Sequence, residues 1–159
     1  MDKPSVYIET SIVSYLAADP SRHPVTLRNQ RLTHAWWATQ RERYTLWTSG
    51  LTLAEAARGN EWMSERRLEL LQQIAIVEAP PAATALAKRL CSGIPLPERA
   101  NADAWHIALA ASNGIAYLLT WDSKHIANPR LRPRVEAICE ARGLAPPVFC
   151  TPAELMGDV

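Results

Sequence analysis

Short apolar blocks alternate along the chain with longer amphipathic stretches. Residues 5–9, ending in Val6-Tyr7-Ile8-Glu9, read as a buried strand. Ser11 is placed to cap a helix from Ile12 to Ala18, and Asp19-Pro20-Ser21 breaks it. From Val25 to Arg43 the spacing is helical, with Leu27, Leu32, Trp36 and Trp37 on the apolar side. "YTLWTS" at 44–49 is rich in aromatic and β-branched residues, as a strand is. "LTLAEAARG" follows as a short helix closed by Gly59, and "EWMSERRLELLQQ" as an amphipathic one. "IAIVEA" at 74–79 is a third strand, stopped by Pro80-Pro81. "ATALAKRLCSG" is a helix, "IPLPER" a loop, and "NADAWHIALAASNG" an alanine-rich helix. "AYLLT" at 116–120 is the clearest strand, and "DSKHIAN" leads to a break at Pro129. A helix over "LRPRVEAICEARG", a strand at 147–150 and a helical turn at "PAELM" complete the chain.

Strands alternating with helices predict an α/β domain with a mostly parallel sheet, and a single domain over 1–159. The strands are short and nearly continuously apolar, as expected when helices cover both faces. In such sheets ligands bind beyond the carboxyl ends of the strands. Glu9 and Asp122 each stand at or just past such an end, so both are expected at one crevice.

Composition changes this picture little. A net charge of +1 gives no global nucleic-acid signal, so any such site must be a local patch. Cys91, Cys139 and Cys150 are too few and scattered for a disulfide framework or a zinc site, and read as reduced thiols of a cytoplasmic protein. No apolar run approaches the roughly 20 residues of a membrane span. Glu9 interrupts the run after Lys3 and no small-residue cleavage site follows, which argues against a signal peptide.

The candidate chemistry lies in four acids, Glu9, Glu55, Asp103 and Asp122. Each has a structural explanation. Glu9 can bond the N–H groups of the next helix. Glu55 follows Thr52 by three, as in a capping box. Asp103 sits in a first helical turn, and Asp122 is a good cap for "SKHIAN". Together they say more. Four converging carboxylates repel one another unless a cation compensates them. Hard divalent ions, magnesium or manganese, take such oxygen ligands and activate water toward phosphate esters. No nucleophile constellation or glycine-rich phosphate loop competes. His23, His34, His106 and His125 show no zinc spacing.

Three runs, "VYIETSIVSYL", "LTLAEAARG" and "ADAWHIALAASNGIAYLLTWDSKHI", occur in order over nearly the whole chain. They resemble the PIN-domain nucleases, especially the VapC-like toxins of toxin–antitoxin pairs. The resemblance implies a three-layer α/β/α sandwich whose clustered acids bind Mg2+ or Mn2+ and cleave RNA. Carried over by position, the four acids are Glu9, Glu55, Asp103 and Asp122, with Glu9, Asp103 and Asp122 as metal ligands. Thr10 and Thr120 match hydroxyl positions beside the first and fourth acids, and Arg58 is the best placed cation for a substrate phosphate. A small antitoxin and a homodimer are implied partners.

Two features depart from the family pattern. Glu9 stands where Asp is usual, adding a methylene and a rotor. "SKHIAN" replaces an acid or Phe after the fourth position; His125 or Asn128 can face the site there, and a surface or capping role is the reading preferred for both. Trp36 and Trp37 are assigned to a core or dimer interface, and most of the arginines to solvated helix faces. The departures make a catalytically weakened RNA- or protein-binding module the competing reading. A phosphoacceptor domain fits less well, because the first strand ends in Glu9 and no lysine matches after a later strand.

Overall fold

A computed structural model describes residues 2–95 and 97–157. Five strands form one sheet: β1 (Ser5–Ile8), β2 (Thr45–Thr48), β3 (Ala75–Ile76), β4 (Tyr117–Leu119) and β5 (Val148–Cys150). Their order is β3-β2-β1-β4-β5 and every pairing is parallel. The chain steps outward from β1 through β2 to β3, then returns to the other side of β1 for β4 and β5. The reversal lies between β1 and β4, which is where parallel sheets open a ligand crevice.

Side-chain alternation along β1 feeds two cores. Val6 and Ile8 pack on one face with α1 (Thr10–Ala17), Trp36 of α2 (Pro24–Thr39) and Leu71 of α4 (Glu61–Leu71). Tyr7 points to the other face, among α5 (Pro81–Gly93), α6 (Asn101–Ser112) and α7 (Arg132–Glu140). The result is a helix–sheet–helix sandwich, as expected. The seventh helix, α3 (Gly50–Ala56), lies between the two, with Ala56 in the first core and Leu51 against the second. On α6, Ala104, Ala108 and Ala111 are buried, and such small side chains let α5 and α6 approach closely.

Several local expectations change. The first helix is capped by Glu9, not Ser11: the Glu9 backbone is extended and its carboxylate accepts from Ser11 N–H. Ser49, not Thr52, caps α3, so Glu55 is no part of a capping box. The second helix stops at Thr39, and a 3-10 turn spans Arg41–Arg43. The strand expected over 74–79 is reduced to two residues at the sheet edge, both exposed. Ile74 instead turns into the core. No helix follows Asp122, whose Oδ1 accepts from the N–H groups of Lys124 and His125 and closes a turn. Trp36 is fully buried, with its indole N–H donating to Leu155 O at 3.0 Å. Among the described residues no helix is long and apolar enough to cross a membrane.

Candidate active site

The carboxyl ends of β1 and β4 and the N-terminal part of α6 meet over the switch point. Glu9 leaves β1 with its own N–H donating to Leu119 O at 3.2 Å, which ties it to the end of β4. Its side chain is buried, at 7% exposure, yet well partnered. Oε1 accepts from Ser11 Oγ at 2.5 Å and Thr120 Oγ1 at 2.6 Å, and Oε2 accepts from Ser11 N–H at 3.1 Å. Such donors offset the desolvation of a buried carboxylate. Thr120 is fully buried, and its hydroxyl also accepts from Asp122 N–H at 2.9 Å. Ser11 Oγ accepts from Trp121 N–H at 2.9 Å. Both hydroxyls thus bind the Glu9 carboxylate to the backbone that delivers Asp122.

Glu55 reaches the same region from α3. Its Oε1 accepts from Thr10 Oγ1 at 2.7 Å and lies 2.6 Å from His106 Nε2. Burial pushes the Glu55 carboxyl up, but the hydrogen bond and charge of His106, the Thr10 hydroxyl and the Arg58 charge together hold it below the ordinary carboxylate range. Arg58 itself is exposed. His106 is wholly buried, and Tyr7 Oη meets its Nδ1 at 2.7 Å. The Tyr7 hydroxyl also lies 2.6 Å from Ser49 Oγ, and burial raises its pKa well above the usual phenol value.

The third group is less settled. Asp103, Asp122 and His125 bring one ligand atom each to within 4.8 Å of one another. His125 Nδ1 lies 3.0 Å from Asp103 Oδ2 and 3.7 Å from Asp122 Oδ2. Burial first, then the Asp122 charge, pushes the Asp103 carboxyl up to about 6; Glu9 adds to this, while His106 and His125 oppose it. Burial and a neighbouring carboxylate each disfavour the charged form of Asp103, as a nearby cation would favour it. Two carboxylates and an imidazole suit Mn2+ well and Mg2+ through its carboxylates. The donor set fits the divalent ion expected from the sequence.

A profile described as the PIN domain matches residues 6–131. The chain belongs to the PIN-domain family. No curated protein matches the chain in sequence. Among solved structures the chain is similar to VapC20 of Mycobacterium tuberculosis, described as a sarcin–ricin-loop-cleaving toxin. The TM-score is 0.60 at 15% identity, over 78% of this chain and 95% of that one. At that identity the likeness concerns the fold.

Within this PIN domain the four expected acids all lie at the carboxyl side of the sheet, in two sub-clusters joined through Glu9. Glu9 stands outside the group formed by Asp103, Asp122 and His125. His125 corrects the expectation of a surface or capping role: its side chain is 17% exposed and faces both aspartates. Asn128 caps no helix among the described residues; its side chain stays with the local turn, donating to Lys124 O and accepting from Arg130 N–H. Sequence reasoning missed His106 and Tyr7. A signal for each was present. His106 follows Asp103 by three on a helix, so both share a face. Tyr7 precedes Glu9 by two on a strand, which also places them on one face.

Proposed function

We propose that this PIN domain is a Mg2+- or Mn2+-dependent endoribonuclease and the toxin of a toxin–antitoxin pair. The observation that carries the reading is the joint position of Asp103, Asp122 and His125 beside the buried Glu9 at the β1–β4 switch point. When bound there, the divalent ion supplies Lewis acidity to water and to the phosphodiester. Asp103 and Asp122 hold it, with Glu9 contributing directly or through water. Glu55 is ionised and, among the described residues, only its Oε1 is engaged, so Oε2 is free to orient the attacking water and take its proton. Arg58, exposed one turn after Glu55, meets the substrate phosphate, and Thr10 orients Glu55. Thr120 acts through Glu9 and the Asp122 backbone, since its hydroxyl is engaged on both sides.

The fold shared with VapC20 supports RNA as the substrate class, a small antitoxin as a partner and a cytoplasmic setting. A homodimer belongs to the same reading. The test is cleavage of structured RNAs, a sarcin–ricin loop among them, by purified protein with Mg2+ or Mn2+. Cleavage should stop with EDTA and with Asp103→Asn; activity indifferent to both sinks the proposal.

One observation favours a second reading, a binding module with weakened catalysis. Glu9 stands outside the cluster of Asp103, Asp122 and His125, and its Oε1 already accepts from both Ser11 and Thr120, so only Oε2 is left to meet a cation. A thermal shift separates the two: the weakened site gains no stability from Mn2+.

A further inference from the structure

Glu55 has two carboxylate oxygens in different states. Oε1 takes both of its hydrogen bonds, from Thr10 Oγ1 and His106 Nε2. Oε2 has no hydrogen bond among the described residues, in a side chain that is 22% exposed. His106 is clamped from behind by the Tyr7 hydroxyl, which in turn meets Ser49 Oγ. Ser49 Oγ also accepts from Thr52 N–H at 3.2 Å.

With Glu55 ionised and one proton on the His106 ring, the bonds among Glu55, His106 and Tyr7 allow one assignment of protons, while Thr52 Oγ1, 3.4 Å from both Tyr7 Oη and Ser49 Oγ, offers Tyr7 a second donor beside Ser49. A carboxylate is an acceptor alone, so Nε2 must carry the proton. Nδ1 is then a bare acceptor and takes the Tyr7 O–H. The Tyr7 oxygen receives the Ser49 O–H, and Ser49 accepts from the α3 backbone. Every member thus donates forward, from the α3 cap to Glu55. The other tautomer would set the Nε2 lone pair against a carboxylate at 2.6 Å.

We propose that His106 is a positioning residue: held as the Nε2–H tautomer between the Glu55 carboxylate and the Tyr7 hydroxyl, it pins Glu55 through Oε1 so that Oε2 is the oxygen presented to the reacting water. The inference rests on the nuclease reading for the role of Oε2, but the lock itself does not. The arrangement resembles the orienting partner of a catalytic imidazole with the order reversed, because here the imidazole orients the carboxylate. It also accounts for a neutral phenol and a histidine in an otherwise apolar layer. Each satisfies the other, and neither reaches solvent.

The test has a spectroscopic arm and a kinetic arm on the full chain. Nitrogen-15 NMR of the wild type should show His106 with a pyrrole-type Nε2 and a pyridine-type Nδ1. Glu55→Gln, whose amide can turn its N–H toward Nε2, should admit the Nδ1–H form as a mixture. In RNA cleavage, Tyr7→Phe and His106→Leu should lower kcat roughly 10- to 100-fold with KM nearly unchanged, in line with the loss of an orienting partner. His106→Gln, which keeps a donor near Nε2, should recover part of the loss. An Nδ1–H or doubly protonated His106 in the wild type, or a tautomer unmoved by Glu55→Gln, overturns the proposal. So does full activity in His106→Leu where Glu55→Gln is inactive. If the wild type cuts no RNA, the nuclease reading fails, and the NMR arm alone still decides the lock.

Discussion

The two halves of the site differ in how far the protein completes them. The half built on Tyr7, His106, Glu55 and Thr10 is bonded throughout except at Glu55 Oε2: a continuous row of hydrogen bonds of 2.6–2.7 Å runs through it from Tyr7 to Thr10. The half built on Asp103, Asp122 and His125 is not. There one imidazole nitrogen faces two carboxylates, and buried His125 Nε2 has no partner among the described residues. Charge shifts point in opposite directions across the divide. Glu55 is held below the ordinary carboxylate range and Asp103 is pushed up to about 6. One half is therefore a finished scaffold. In the other, two carboxylates share a single imidazole nitrogen.

The sharpest way to break this contrast is to neutralise one acid of the unfinished half. Asp103→Asn should lower RNA cleavage by on the order of 10²–10³-fold, the scale of losing one preorganised electrostatic contact. In metal-free buffer at pH 7 the same variant should melt higher than the wild type, because it removes a repulsive charge. A variant that loses both activity and metal-free stability would erase the distinction between the halves.

Substitutions in the finished half should behave differently. His106→Ala leaves a cavity and strands Tyr7 Oη and Glu55 Oε1, and should cost about 2–4 kcal/mol in urea unfolding. His125→Ala should cost less, about 1 kcal/mol, since the Asp103 Oδ2 it releases is partly exposed and can turn to water. Equal losses would show that both halves are scaffold.

The pH dependence sharpens the comparison further. The folded state holds the Asp103 proton more tightly than the unfolded chain, whose reference value is 3.8. Metal-free stability is therefore gained as pH falls through about 6 toward 3.8. For Glu55 the sign is opposite. Its contribution is full above 4.5 and lost as pH falls through its lowered folded value. Melting temperature without metal should peak between the two windows, and Asp103→Asn should flatten the upper limb. Stabilisation by Mn2+ should fade below about pH 6, as Asp103 takes up its proton.

The smallest effect is expected at Arg58, whose exposed charge only biases Glu55. Arg58→Ala should leave unfolding within about 0.5 kcal/mol of the wild type. Its cleavage should fall several-fold and become less sensitive to salt, as one phosphate contact is lost.

Much of the frame was legible in the residues. Short apolar runs between amphipathic stretches announce a parallel sheet covered on both faces, because period and burial follow from local patterning. All four acids and both flanking threonines stand at element boundaries that the same patterning marks. Boundaries were less legible where a side chain can bond in more than one local way. Ser11 has the composition of a cap, yet it serves as the donor to a capping Glu9. Thr52 and Glu55 match a capping spacing, yet Ser49 caps and Glu55 turns to His106.

By itself the chain determined its element order, the placement of its acids at strand and helix ends, and its family. These depend on neighbours within a turn or two. Tertiary structure alone decided which acids are neutralised and which are left in conflict. Tyr7 and His106 are 99 residues apart, as are no two residues that local patterning can pair. Asp103 and His125 come from different elements, and the desolvation that raises Asp103 exists only after α6 packs beside β4. Burial and through-space charge are properties of the assembled sheet and helices, so the division of the site into a finished and an unfinished half appears only there.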